Sequence, residues 1–173
     1  ICSVYDTSKG EALATLYDKL LADNPTRNTR DTYDAVFTSN TTGTLFTATE
    51  KNVHNTTDTT VYYYAGNTTN NWVKFGGFYW RIIRTNADGG IRLLYHGTST
   101  TATDAYIVEI STFNGSYNNI AYVSYMYGST GSIANARTNQ TNSSTIKTAI
   151  DNWYKDNLNT NYGKYLSTTA VYC

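Results

Sequence analysis

The fold of this chain is decided by one stretch in the middle of the sequence, Trp72-Val73-Lys74-Phe75-Gly76-Gly77-Phe78-Tyr79-Trp80-Arg81-Ile82-Ile83-Arg84. Two runs of aromatic and β-branched residues, which favour strands, stand on either side of a Gly-Gly pair. Such a pair is suited to the tight turn of an antiparallel hairpin. We therefore predict strands over Asn71–Phe75 and Phe78–Thr85, joined by a turn at Gly76-Gly77.

The second of these strands carries apolar side chains on both of its faces. Because side chains alternate along a strand, Trp80 and Ile82 point one way, while Tyr79, Arg81 and Ile83 point the other. This pattern predicts a central strand that is covered on both sides, or covered by a helix on one.

Further strands are predicted outward from the hairpin in both directions. Val61–Tyr64 precedes it, and a turn at Asn86-Ala87-Asp88-Gly89-Gly90 leads into Ile91–Tyr95, so that residues 61–95 form a meander. Shorter strand patterns occur at Ala35–Phe37, Thr44–Phe46 and Tyr106–Ile110.

A first helix is predicted over residues 8–23. Ser8 and Glu11 have the spacing of a capping box, and apolar residues then follow at helical spacing. Asn24-Pro25 ends this helix, because the residue before a proline avoids the helical conformation.

A second helix is predicted over about residues 144–158, with Ser143 as its N-cap and Asn159 as its end. Its apolar face is formed by Ile146, Ala149, Ile150 and Trp153, extended by Tyr154 and Leu158. The expected fold is therefore α+β, an antiparallel meander packed with two helices, with long polar loops that include residues 25–60.

Composition indicates a single extracellular domain over residues 1–173. A domain of this size buries roughly 70% of the surface of its unfolded chain, and 40% of the residues are apolar, with 17 Tyr, 5 Phe and 3 Trp but one Met. Only 15% are charged, so that Thr, Asn and Ser must supply solubility, which is typical of extracellular β-rich proteins.

Charge and hydropathy argue against two classes of partner. The 13 basic and 13 acidic residues give a net charge of zero, so no long-range field attracts nucleic acid or an anionic membrane. No apolar run reaches the length of a membrane span. Since the chain starts at Ile1 rather than Met, we expect a removed leader or a fragment.

The two cysteines, Cys2 and Cys173, lie at opposite ends of the chain. An intramolecular disulfide would close nearly the whole chain, with an upper-limit stabilisation of about 5 kcal/mol from loop entropy. It would also indicate an oxidising compartment. Pairing between neighbouring subunits and two free thiols are the alternatives.

Two groups of motifs follow one another along residues 60–158. The first runs from Tyr62-Tyr63-Tyr64-Ala65-Gly66 through the hairpin to Asp88-Gly89-Gly90-Ile91-Arg92-Leu93-Leu94-Tyr95. The second contains Phe113-Asn114-Gly115-Ser116-Tyr117-Asn118, then Tyr122-Val123-Ser124-Tyr125-Met126-Tyr127-Gly128, then Asn142-Ser143-Ser144-Thr145-Ile146-Lys147 and Trp153-Tyr154.

This order resembles a family of uncharacterised secreted and surface proteins of gut-dwelling Gram-positive bacteria. More distantly it is similar to a domain-of-unknown-function family with a hydrophobic-Trp-Arg-hydrophobic strand. Members of the family often continue, beyond the cysteine that corresponds to Cys173, into a C-type-lectin-like segment that this sequence does not contain. The resemblance implies a bacterial surface location and brings no catalytic residue with it.

Residues that could carry chemistry do not form a recognisable constellation in the sequence. His54 and His96 have no cysteine or carboxylate at metal-ligand spacing, so we predict neither a metal site nor a cofactor. There is no Gly-x-Ser-x-Gly elbow, and nothing marks out Asp88, Asp104 or Glu109 as a catalytic carboxylate pair. We do not expect an enzyme.

Arginines and tyrosines are the candidate binding residues. Arg81, Arg84 and Arg92 cluster on the meander, where they either bind a carboxylate or acidic glycan, or pair with acidic residues and cover aromatic rings. A tyrosine-rich stretch is a candidate ligand or assembly surface, since tyrosine serves core packing, protein interfaces and sugar stacking alike. It contains Tyr117, Tyr122, Tyr125 and Tyr127.

Six Asn-x-Ser/Thr sequences are candidate glycosylation sites. They start at Asn40, Asn55, Asn67, Asn114, Asn139 and Asn142.

Together these features predict a non-enzymatic, extracellular bacterial surface protein with a structural or adhesive role, such as a subunit of a surface filament or matrix. Its partner would be a second copy or another surface protein, and the polar segment 25–60 could serve as an arm that pairs with a neighbour's sheet edge. The alternative is a carbohydrate- or ligand-binding module that uses the tyrosine-rich surface.

Overall fold

Five antiparallel strands form the main sheet of the computed structural model, which describes residues 5–6, 11–12, 15–29, 45–51, 57–66, 68–103, 105–108, 111–114 and 143–170. Strands β1 (Tyr5–Asp6) and β2 (Glu11–Ala12) form a separate two-stranded sheet. The main sheet consists of β3 (Leu45–Glu50), β4 (Thr59–Tyr64), β5 (Trp72–Phe75), β6 (Phe78–Thr85) and β7 (Ile91–Tyr95). With the helices described below, this confirms the α+β class.

The chain divides into two compact units. The first contains Ile1–Ala102 with Ser167–Cys173, and the second contains Thr103–Leu166. The main sheet belongs to the first unit. The single extracellular domain over residues 1–173 stays a prediction.

The hairpin that the sequence predicted is present, with its turn at the two glycines. Gly76 and Gly77 both adopt positive φ angles, 63° and 86°. A two-residue turn of this hand is readily formed only by residues that tolerate left-handed backbone, which explains the Gly-Gly pair. Phe75 and Phe78 consequently face each other as the first pair of the β5–β6 ladder.

Strand β6 is the central strand of the sheet, and along one of its edges the partner strand changes from β5 to β4. Its first half pairs with β5, its second half meets β4 at Arg84, and its other edge pairs with β7. Between β5 and β4, Asn71 takes the place of a strand residue. The backbone N–H of Ile82 donates to the carbonyl oxygen of Asn71 at 2.7 Å, and Asn71 Nδ2 donates to the carbonyl oxygen of Ile82 at 2.9 Å.

A β-bulge in β6 changes which side chains face the core. The register with β7 shifts between Ile82 and Arg84, which makes Ile83 the extra residue. Ile82 is 4% exposed, Ile83 is 41% exposed, and Thr85 is fully buried. Beyond the bulge, Thr85 rather than Arg84 therefore continues the buried face, and its Oγ1 accepts a hydrogen bond from the N–H of Tyr62 at 3.0 Å.

The first helix, α1, comprises Leu16–Asp23 and is shorter than the sequence predicted. The predicted start at Ser8 is wrong, because Glu11–Ala12 lies in β2. The functioning capping box is instead Thr15 and Asp18, in which each side chain accepts from the backbone N–H of the other residue. The predicted end is confirmed, since Asn24 follows the helix and its Nδ2 donates to the carbonyl oxygen of Leu20.

Helix α1 packs on the sheet through a small buried cluster. Leu20 contacts Leu45 of β3 and Ile82 of β6, and all three are at most 4% exposed. The partly buried residues around them are Leu16, Leu21, Tyr62, Tyr64, Val73, Ile91 and Leu93. The core thus lies on one face of the sheet, at its central strand.

Two of the shorter sequence predictions need correction. The short strand predicted at Thr44–Phe46 is confirmed at Leu45 and Phe46 but is longer than predicted, because β3 continues to Glu50 and pairs with all six residues of β4. The strand predicted at Tyr106–Ile110 is wrong for Tyr106–Val108, which have irregular backbone, whereas Glu109 and Ile110 lie outside the described residues. The strand predicted at Ala35–Phe37 also lies outside them.

In the second unit, helix α2 (Thr145–Tyr154) confirms the predicted C-terminal helix. Its N-cap is Ser144 rather than Ser143, and Ser144 Oγ accepts from the N–H of Lys147. The predicted end at Asn159 is wrong, because a π-helical turn (Lys155–Asn159), α3 (Thr160–Tyr162) and a 3-10 turn (Gly163–Tyr165) continue it. The side chain of Asn159 accepts from the hydroxyl of Tyr154 instead of terminating the helix.

None of the helices in the described ranges is long and apolar enough to cross a membrane.

Candidate functional site

The three arginines of the meander lie on the face of the sheet opposite the α1 core, and each has a defined contact. Arg84 forms an ion pair with Glu50 of β3 and donates through Nε to the carbonyl oxygen of Thr85 at 2.9 Å. Arg92 donates through Nε to Asn86 Oδ1 at 2.7 Å, in the turn between β6 and β7. Arg84 thus links β6 to β3, and Arg92 links β7 to the turn that precedes it.

Arg81 lies in a different environment, between an aromatic ring and a loop carbonyl. Its guanidinium carbon lies 4.3 Å from the centroid of the Trp72 ring, the cross-strand neighbour of Arg81 on β5. Its Nη2 donates to the carbonyl oxygen of Thr68 at 2.9 Å. Both contacts hold the planar guanidinium in place, so its remaining N–H groups are oriented before any ligand arrives.

The aromatic partner of Arg81 is held from a second side. The His96 ring meets the Trp72 ring edge-on, with centroids 4.6 Å apart and an interplanar angle of 70°. His96 itself is fixed by its backbone, whose N–H donates to the carbonyl oxygen of Tyr79 at 2.9 Å. The histidine is therefore part of the aromatic packing around Arg81.

A cavity of about 250 Å³ lies beside Arg81, where β6 exchanges β5 for β4. It lies beside the connection between β4 and β5, from which Gly66, with a φ of 83°, Thr68 and Asn71 belong to its lining. The cavity is lined by Tyr64, Gly66, Thr68, Asn71, Arg81, Ile82, Ile83 and Leu94.

Asn71 gives this cavity an unusual polar group. The residue is 4% exposed, and its Nδ2 is committed to the Ile82 carbonyl. Its Oδ1 is buried and has no hydrogen-bond partner among the residues that the structure describes. A buried acceptor of this kind costs free energy unless a water or a ligand donates to it.

The other polar residues of the lining are neutral. Tyr64 accepts a hydrogen bond from Asn24 Nδ2 at 3.1 Å, and burial raises the pKa of its phenol, despite the opposing effect of that hydrogen bond. Thr68 Oγ1 donates to Asn70 Oδ1 at 2.7 Å. Among the described residues of the lining, Arg81 alone carries charge, so the cavity attracts anions.

The apolar side of the cavity is exposed to solvent. Leu94 is 58% exposed and lies directly opposite Arg81 across the β6–β7 ladder. Ile83, 41% exposed, follows the buried Ile82 and points to the opposite face of β6. A guanidinium and two exposed aliphatic side chains therefore adjoin one concave surface.

Several sequence-predicted site residues lie outside the described ranges. These are Cys2, Cys173, Tyr117, Tyr122, Tyr125, Tyr127, Asn40, Asn55, Asn67, Asn139, Asn142, His54, Asp104 and Glu109. Asn114 is described and is 1% exposed, so attachment of a glycan there would have to precede folding. Asp88 is a turn residue whose carboxylate accepts from the N–H of Gly90 at 2.8 Å.

Arg81 is recognisable as a candidate from the sequence, whereas Asn71 and Thr68 are not. One signal was present, because a Gly/Asn/Thr-rich run from Gly66 to Asn71 is too long for a tight hairpin turn between β4 and β5. Such a run indicates a loop that leaves the sheet edge, although it does not show which side chains return to it.

Within the described part of the chain, no three His, Cys, Asp or Glu side chains are grouped so that they could hold a metal ion. No protein-family model, curated protein or solved structure matches this sequence.

Proposed function

We propose that this chain is a non-enzymatic structural or adhesive protein of the bacterial cell surface, a subunit of a filament or matrix. Its contact surface is the β6–β7 face, defined here as Arg81, Ile83 and Leu94. The observation that carries the proposal is the exposure of Ile83 and Leu94 beside a fixed arginine. Protein interfaces combine such apolar groups with arginine and aromatic residues.

A second copy of the chain is the partner that the charge balance favours. The net charge is zero, with 13 basic and 13 acidic residues, so copies do not repel one another at long range. Proteins with near-zero net charge associate more readily than strongly charged ones. The low fraction of charged residues, 15%, also reduces the cost of removing such a surface from water.

The test compares two matched substitutions of exposed aliphatic residues. Leu94→Ser removes the most exposed large apolar side chain of the β6–β7 face, and Ile150→Ser does the same on α2 in the other unit, where Ile150 is 37% exposed. We expect Leu94→Ser to shift self-association, measured by light scattering over a concentration series, to higher concentration. The Ile150→Ser variant should assemble like the unmodified protein.

The proposal would be overturned if both variants assembled identically, because the β6–β7 face would then not be the contact surface. Thermal unfolding of each variant serves as the control for folding. Since both side chains are well exposed, we expect changes in stability of no more than about 0.5 kcal/mol for either substitution.

A further inference from the structure

We propose that the cavity beside Arg81 binds an aliphatic carboxylate about the size of one amino-acid residue, either as a free small molecule or as the last residue of a peptide. The site is formed by Arg81, Ile83 and Leu94. This inference rests on the proposed function in one respect, since it gives the ligand chemistry of the same β6–β7 face.

The carboxylate is recognised by Arg81. The guanidinium is fixed by the Thr68 carbonyl and the Trp72 ring, which together use one of its five N–H donors and one of its faces. The remaining donors have the planar arrangement that matches the two oxygens of a carboxylate. No acidic residue is among the described residues that line the cavity, so none of these competes for the charge of Arg81.

The side chain of the ligand packs on Ile83 and Leu94. Both are exposed aliphatic residues on the rim, so their burial by a ligand is favourable. The volume of about 250 Å³ lies below the range of sites for drug-sized ligands, which indicates a ligand about the size of one amino-acid residue.

An acidic sugar fits the same cavity less well. Sugars stack on open aromatic faces, but Arg81 covers a face of Trp72, and His96 packs against the same ring. The phenol of Tyr64 is held by Asn24. The aliphatic rim therefore favours an amino-acid carboxylate over a uronic or sialic acid, and the sugar becomes one of the outcomes of the test.

The test is a titration of the full chain, at a concentration where it is monomeric, followed by amide NMR. The probes are N-acetyl-leucine, its C-terminal amide N-acetyl-leucinamide, a peptide ending in leucine, and glucuronic acid. We expect N-acetyl-leucine to bind with shifts at Arg81, Ile83 and Leu94, and the amide to bind at least about 10-fold more weakly. The peptide distinguishes a peptide terminus from a free small molecule by binding more tightly.

Variants then locate the site. Arg81→Gln should abolish binding of N-acetyl-leucine, whereas Arg84→Gln, on the same strand but outside the cavity lining, should leave the dissociation constant within about 2-fold. Equal binding of the acid and the amide, or tighter binding of glucuronic acid than of N-acetyl-leucine, would overturn the proposal without any variant. No binding of N-acetyl-leucine would overturn it as well.

The two proposals fail in distinguishable ways. Ligand binding without self-association would contradict the proposed assembly and leave the cavity proposal standing. Self-association that Leu94→Ser weakens, without binding of any carboxylate probe, would contradict the cavity proposal alone.

Discussion

At the residue scale, Asn71 makes the hydrogen bonds of a paired strand residue at the point where the partner of β6 changes from β5 to β4. Its backbone accepts from Ile82 N–H and its side chain donates to Ile82 O, so one asparagine satisfies both polar groups of a buried strand residue. The same position leaves Oδ1 buried in a cavity lining. One residue thus links the continuity of the sheet to the polarity of the candidate site.

Replacing Asn71 tests this role directly. In Asn71→Ala the carbonyl of Ile82, a residue that is 4% exposed, loses its side-chain donor, and we expect a loss of about 1–3 kcal/mol in the free energy of unfolding. Thr69→Ala, an exposed change in the same loop, is the matched control and should be close to neutral. Equal urea midpoints for the two variants would contradict the role of Asn71 in the sheet.

At the element scale, the hairpin and α1 differ in how far they could be predicted. The hairpin is local, because Gly76-Gly77 and the adjoining aromatic runs determine its turn and register together. The start of α1 could not be fixed locally, since Ser8–Glu11 and Thr15–Asp18 have the same spacing. The pairing of Glu11–Ala12 with Tyr5–Asp6 decides between them, and that is a tertiary interaction.

The cavity could not be predicted from sequence for a similar reason. Arg81 was a candidate because arginines cluster on the meander, but the cavity depends on β4 and β5 sharing one edge of β6. The bulge at Ile83 adds to this, since beyond Ile82 it places Thr85 rather than Arg84 on the buried face. Both features follow from strand pairing between segments distant in sequence.

The capping box of α1 makes a pH-dependent contribution to stability. The pKa of Asp18 is lowered from its usual value of 3.8, mainly by the hydrogen bond from the side chain of Thr15 and to a smaller extent by the one from its backbone. A carboxylate with a lowered pKa stabilises the fold above its usual pKa and loses that effect as the pH falls through the folded value. The contribution is therefore constant near neutrality and disappears below pH 3.8.

We expect Asp18→Asn to be less stable than the unmodified protein at neutral pH, and the difference in urea midpoint to narrow as the pH falls below 3.8. The narrowing is expected because the protonated carboxyl of Asp18 no longer differs from the amide in charge. A difference that stayed constant down to acid pH would show that Asp18 does not contribute through its charge.

At the scale of the whole molecule, the cysteines at the two ends bear on stability and on assembly. We expect Cys2 and Cys173 to form an intramolecular disulfide, which should stabilise the fold by at most about 5 kcal/mol. Intact mass with and without reductant tests this, since reduction should add the mass of two hydrogen atoms to a monomer. A dimer that reductant dissociates would indicate pairing between subunits, and an unchanged mass would indicate free thiols.

The central claim is that the chain assembles with itself through the β6–β7 face. Its zero net charge and the exposure of Ile83 and Leu94 support this claim. The most direct measurement is sedimentation velocity of the native protein and of Leu94→Ser over a wide range of concentrations. The account predicts species larger than a monomer that increase with concentration and decrease in Leu94→Ser. A protein that stays strictly monomeric at every concentration would contradict it.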